Sequence, residues 1–176
     1  MSQVIEFIWG REALSAFRIQ QLKQRASQRG VELSRVEAQL IYVAECEQPL
    51  DESSKLTLAK LLNEQTGLAQ ALSPQFIVSP RVGTISPWSS KATDIVHNCG
   101  LNSIKRIEQA IAWRLDDSLT ADQLALVQAL VHDRMTESVL PSVDALASLF
   151  SHQAPKPYQT VPVLSQGRDA LVEANQ

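Results

Sequence analysis

The stretch Arg35-Val-Glu-Ala-Gln-Leu-Ile-Tyr-Val-Ala-Glu-Cys46 decides how the rest of the chain is read. Successive side chains of a strand point to opposite faces. Val36, Ala38, Leu40, Tyr42, Ala44 and Cys46 therefore share one face, and Arg35, Glu37, Gln39 and Glu45 the other, where Ile41 and Val43 interrupt the polar pattern. Ile104 to Leu115 reads the same way. There Ile107, Ile111, Trp113 and Leu115 oppose Glu108 and Arg114, with Gln109 as a polar intruder on the apolar face. Parallel sheets covered on both sides have solidly apolar strands, so two long alternating strands point to a sheet with one packed and one partly exposed face. The expected fold is α+β, with a mostly antiparallel sheet packed by helices. The competing arrangement is a doubly wound α/β fold, which the order of elements alone would also allow.

That order is strand, helix, strand, helix, given twice. Val4 to Trp9 is β-branched and aromatic and stops at Gly10; Glu12 to about Ser27 carries Leu14, Phe17, Leu22 and Ala26 as a helical stripe, and Gly30 supplies the stop. After the Arg35–Cys46 strand and Pro49, Asp51 or Ser53 can cap a helix with Leu58, Leu61 and Leu62 on one side. The second pass runs Phe76 to Val82 as strand, Ser86 to Cys99 as helix, Ile104 to Leu115 as strand and Thr120 to His132 as helix, the last opened by the capping-box spacing of Thr120 and Gln123. Ile5 and Phe76, Val36 and Ile107, and Asp51 and Asp122 are each 71 positions apart. The elements repeat although the residues do not, which reads as one duplicated β-α-β-α unit with copies at about 1–72 and 73–140. Residues 1–150 are expected to form the compact domain. Beyond them, Ser151 to Pro157 reads as an extended linker, Thr160 to Leu164 as a strand, and Gly167 to Gln176 as the start of a helix in a further domain that is cut short.

The 176 residues are 44% hydrophobic and carry a net charge of −3, enough apolar material for a core and no overall positive field to hold a nucleic acid backbone. No run approaches the ~20 apolar residues of a membrane span, and Met1 to Trp9 lacks the basic start and apolar length of an export signal. A cytoplasmic, membrane-free protein is expected. Phosphate-cradling glycine loops, nucleophile elbows and Cys-x-x-Cys clips are absent, and His97, His132 and His152 lack metal-ligand spacing. They read as surface or helix-end histidines. Cys99 shares a helical stripe with Ala92, Ile95 and Val96, and Cys46 ends an alternating strand, so both read as buried structural thiols and neither as a nucleophile. No catalytic, cofactor-binding or metal-binding residue is expected in this chain.

One segment is unusual. From Ser79 to Asp94, Ser86 is placed to cap a helix with Pro87 at its first position and Trp88, Ser89 and Ser90 in its first turn. Its free amides, the hydroxyls of Thr84, Ser89 and Ser90, and the charges of Arg81 and Lys91 can receive an anion or another domain's carboxylates. Between Arg81 and Arg114 five basic and two acidic residues give +3, leaving −6 for the remainder. A tryptophan so close to a helix start either covers the core's edge or anchors a partner. Arg81, Thr84, Ser86, Trp88, Ser89, Ser90 and Lys91 form the candidate docking surface.

The run Val78-Ser-Pro-Arg-Val-Gly-Thr-Ile-Ser-Pro-Trp-Ser-Ser-Lys-Ala-Thr-Asp-Ile-Val-His-Asn-Cys-Gly-Leu101 resembles the N-terminal domain of phosphoribosylformylglycinamidine synthase, or formylglycinamide ribonucleotide amidotransferase, in its large single-chain form. Ile104 to Gln109, His132 to Glu137, and the placement of Val163, Leu164, Gly167, Arg168, Ala170, Leu171, Ala174 and Asn175 extend the resemblance over the chain. The family's enzyme makes formylglycinamidine ribonucleotide from formylglycinamide ribonucleotide in purine synthesis, with ATP, magnesium and ammonia drawn from glutamine. The resemblance implies a domain similar to a dimer of the small accessory subunit of the multi-subunit enzyme. It implies the synthetase and glutaminase portions of the same enzyme as partners, with ATP and Mg2+ bound there and not in this chain. A non-catalytic docking and coupling domain is the leading expectation; a freestanding accessory subunit and a small anion-binding module are the alternatives.

Overall fold

The computed structural model describes residues 4–62, 71–151 and 160–175. Strand β1 (Val4–Glu12) leads through Ser15, whose hydroxyl accepts from the Arg18 amide, into helix α1 (Ala16–Ser27). Strand β2 (Val36–Cys46) follows, then helix α2 (Glu52–Leu61), capped by Asp51 through the Ser54 amide at 2.7 Å. The second pass consists of β3 (Phe76–Pro80), α3 (Pro87–Asn98), β4 (Ile104–Leu115) and α4 (Ala121–Val131), where Thr120 and Gln123 close a complete capping box. Strand β5 (Glu137–Leu140), a 3-10 helix (Asp144–Phe150), and two short helices, α5 (Val163–Gln166) and α6 (Arg168–Ala174), complete the described elements.

The five strands form one sheet in the order β1-β2-β4-β3-β5, and every described pairing is antiparallel. The expected α+β antiparallel sheet is what the chain builds, and the doubly wound alternative falls away. At the centre, Leu40 lies opposite Ile111, its counterpart 71 positions on. On either side Ala38 pairs with Trp113 and Tyr42 with Gln109, so the counterparts exchange partners and a local twofold passes through the Leu40–Ile111 pair.

The offset is not constant, however. Ile5 faces Glu45 whereas Phe76 faces Trp113, which makes Ile8, opposite Tyr42, the equivalent of Phe76. The helix caps equivalent to each other are Asp51 and Thr120, with Asp122 already inside the first turn. Connections of unequal length absorb these differences. β1 runs on past Gly10 to Glu12 through a register shift, so α1 begins only at Ala16, and Leu14 stands outside it. β3 stops at Pro80, since the following turn places Gly83 at φ +82°, a left-handed conformation favourable to glycine.

The helices cover one face. Leu22 and Ala26 of α1 and Val127 and Leu130 of α4 join Val36, Ala38, Trp113 and Leu115 in one cluster, while Leu58 of α2 and Val96 of α3 join Leu40, Tyr42, Ala44, Cys46, Ile104 and Ile107 in another. Phe17, expected on the buried stripe of α1, is 67% exposed. On the second face, Leu146, Leu149 and Phe150 of the 3-10 helix cover Ile41, Val43, Ala110 and Ala112. The two apolar interruptions in β2 thus have a partner. Thr160 to Leu164 is not a strand; Val163 and Leu164 begin α5. The expected linker at 151–157 lies, apart from Ser151, outside the described residues, as does His152.

Candidate functional site

The loop from Arg81 to Ser86 joins β3 to α3. The Arg81 amide donates to Thr136 O at 2.9 Å, and Thr84 turns its amide and hydroxyl onto Arg81 O at 3.1 and 2.6 Å. Ser86 then caps α3, its hydroxyl oxygen accepting from the Ser89 amide at 3.0 Å. The anion this helix start was expected to attract is already present and belongs to the chain. Glu108, fully buried, accepts from the Ser86 amide at 3.1 Å and from the Ser86 hydroxyl at 2.6 Å. Arg106 donates to the same carboxylate at 2.5 Å, to Thr84 O at 2.6 Å and to Leu149 O at 3.2 Å, and its guanidinium lies 5.2 Å from the centre of the Phe150 ring. One ion pair thereby ties β4 to the start of α3 and to the 3-10 helix. An outside anion at Ser86 would meet this carboxylate at close range, and the helix dipole favours the Glu108 charge already there.

The alternation of β4 put Glu108 on the wet face; the structure buries it instead, because Arg106 and Ser86 neutralise and solvate it in place of water. The repeat in the sequence does not by itself announce this. Arg35 and Glu37 stand 71 positions before Arg106 and Glu108, and the two capping serines, Ser15 and Ser86, are also 71 apart, so residues do repeat along with elements. In the first copy Arg35 and Glu37 pair at 2.8 Å with side chains 48% and 42% exposed.

Trp88 stacks on Tyr42 of β2 with ring centres 5.8 Å apart. It stands between two depressions. One, of about 400 Å³, is lined by α2 and α3 residues including Leu61, Leu62, Lys91, Ile95 and Val96, with Arg11, Tyr42 and Gln109. The other, of about 290 Å³, lies toward β3 and β5 and includes Leu40, Val78, Gln109 and Glu137. Among the seven candidate residues, Trp88 and Lys91 share the first of these. Arg81, Thr84 and Ser90 are exposed but do not line it, and Ser90 reaches back to Ser86 O at 3.5 Å. Ser89 is fully buried, and its hydroxyl has no hydrogen-bond partner among the described residues. Arg11, Tyr42, Leu61 and Ile95 were not expected at this surface; they arrive from separate elements, and only the tertiary fold gathers them.

His97 and His132 are accounted for locally. His97 Nε2 lies 2.6 Å from Ile104 O, and His132 Nδ1 lies 2.5 Å from Gln128 O. No group of metal-binding side chains occurs among the described residues. Cys46 is buried, and loss of solvent, with the charges of Glu6 and Glu45, pushes its thiol up to about 11. Cys99, expected to be buried, is exposed: α3 ends at Asn98, so Cys99 occupies the C-cap, where the backbone turns away from the stripe carrying Val96 into the core.

Most of this sheet, with α2, α3 and α4, lies within a span that a known family matches. The family model described as formylglycinamide ribonucleotide amidotransferase N-terminal matches residues 39–150. The chain belongs to this family. It is thus an N-terminal domain of the formylglycinamide ribonucleotide amidotransferase of purine biosynthesis, and the matched span takes in nearly all of β2, the whole second repeat and the 3-10 helix. No described helix is long and apolar enough to cross a membrane.

Proposed function

We propose that this formylglycinamide ribonucleotide amidotransferase domain is a non-catalytic docking and coupling element. It rests against the synthetase and glutaminase portions of the enzyme and holds them where ammonia released from glutamine reaches the ATP-dependent step. ATP and magnesium act on the synthetase portion, in the cytoplasm, and not on this domain. The family match over 39–150 carries this reading. The surface around Trp88 supports it, because a half-buried tryptophan held by Tyr42 beside an exposed lysine is a preformed anchor that needs little ordering to bind.

The test is full-length enzyme carrying Trp88→Ala together with Lys91→Ala. Glutamine-dependent turnover is expected to fall and more glutamine to be consumed per product, while turnover on free ammonia stays near that of the unaltered enzyme. Unchanged glutamine-dependent turnover and stoichiometry would reject the role of this surface. Copurification of the 176-residue chain as a stoichiometric complex with separate catalytic chains would instead establish a freestanding subunit.

A further inference from the structure

Arg106 reaches three segments that are remote in sequence. Its guanidinium donates to Glu108 on the same strand, to Thr84 O in the loop entering α3, 22 positions earlier, and to Leu149 O at the end of the 3-10 helix, 43 positions later, and it lies against the Phe150 ring. The 3-10 helix does not need this arginine to find its seat, because Leu146, Leu149 and Phe150 already rest on Ile41, Val43, Ala110 and Ala112. Nor does the repeated unit need the pair buried. Arg35, the counterpart 71 positions earlier, donates to Glu37 at 2.8 and 2.9 Å with its side chain 48% exposed, and α1 and β2 form all the same. Apolar side chains of the same volume would hold such a seam as well as an ion pair does, at a smaller desolvation cost. What the guanidinium adds is direction, since its planar fork fixes the relative placement of the acceptors it meets.

We infer that Arg106 is a positioning residue of the synthase: it sets the attitude of the chain at Leu149–Ser151 relative to the start of α3, and with it the presentation of Trp88 and Lys91 to the synthetase and glutaminase portions. This rests on the coupling-domain reading and names the residue that fixes its geometry. The path is short. Thr84 O, and the Ser86 cap through Glu108, hold the first turn of α3 that carries Trp88, while Leu149 O holds the last turn before residues 152–159. Both ends are bonded to one rigid group, so neither shifts without the other. Lysine at this position keeps a cation beside Glu108 but replaces the fork with a compact ammonium on a flexible stem, which leaves the two ends free to move apart.

The experiment measures full-length synthase carrying Arg106→Lys on glutamine and on free ammonia, beside Leu146→Ala, which loosens the same 3-10 helix without removing a group that Arg106 bonds. Arg106→Lys is expected to lower glutamine-dependent turnover by about tenfold and to raise the glutamine consumed per product, with ammonia-dependent turnover unchanged. Leu146→Ala is expected to lower the urea midpoint and to keep the ratio of the two turnovers. An unchanged ratio in Arg106→Lys overturns the assignment, and so does an equal fall in Leu146→Ala, which would make the arginine a matter of stability alone. If Arg106→Lys does not fold, Phe150→Leu decides: it keeps an apolar side chain in the seat, removes the ring beside the guanidinium, and must still lower the ratio. The variant carrying Trp88→Ala and Lys91→Ala separates the two levels. A lowered ratio there with none in Arg106→Lys removes the positioning role and leaves the coupling reading standing. An unchanged ratio in both removes both.

Discussion

Glu37 and Glu108 each follow an arginine by two positions and stand 71 residues apart, yet the first has a side chain 42% exposed and the second is fully buried. Removing one partner of a buried ion pair strands the other's charge, whereas an exposed pair exchanges its partner for water. Glu108→Ala is therefore expected to cost about 3–5 kcal/mol in urea denaturation. Glu37→Ala is expected to leave the midpoint within experimental error. Equal effects would show that the buried pair does not carry the start of α3. A pH dependence follows from Cys46, whose thiol is raised to about 11 in the folded chain by burial first and by Glu6 and Glu45 next. A thiol that resists ionisation on folding stabilises the fold fully below its unfolded value, and that contribution is lost as pH rises toward the folded one. Thermal stability should thus fall between about pH 9 and 11, and Cys46→Ala should remove that part of the slope, which melting curves over this range would reveal. At this scale the sequence is legible in its caps, since Ser86, Asp51 and Thr120 act through neighbours three residues away. It is illegible where the partner is remote: nothing around Glu108 announces that Ser86, 22 positions earlier, will receive it.

Among the elements, the long strands are readable because alternation over eleven or twelve residues leaves little freedom in which face is buried. β5 escapes such reading. Its four residues, Glu137 to Leu140, are all half-buried, and they pair only with the outer edge of β3. The apolar segment ending at Phe150 is visible as apolar, but its destination is not, since a short 3-10 helix has no periodicity that names the surface it will cover. That surface is the pair of interruptions in β2, Ile41 and Val43, together with Ala110 and Ala112. Leu146 is wholly buried there. Leu146→Ala is expected to destabilise the chain by about 2–5 kcal/mol, through lost burial and the cavity left behind. Chemical denaturation measures this directly, and a loss below the measurement error would mean that the 3-10 helix lies on the sheet without holding it.

For the whole molecule, the duplication and the antiparallel sheet could both be anticipated, because they follow from element order and from alternation. The inequality of the two halves could not. Around the twofold at Leu40 and Ile111, one Arg-x-Glu triplet is buried with Ser86 as its partner and the other is exposed, a difference the repeat does not carry. Trp88 and Lys91 could be picked out because they sit in one helical turn, whereas Arg11, Tyr42 and Leu61 reach the same depression from β1, β2 and α2. The junction of the two halves has a further consequence. β2 and β4 meet along their whole lengths within one continuous polypeptide, from Val36 opposite Leu115 to Cys46 opposite Ile104. Two separate chains joined along such a seam would part on dilution, with a melting temperature that rises with protein concentration. Here the second half is always delivered with the first, so the sheet's midline holds at any concentration, and each half has been free to change without its change appearing twice.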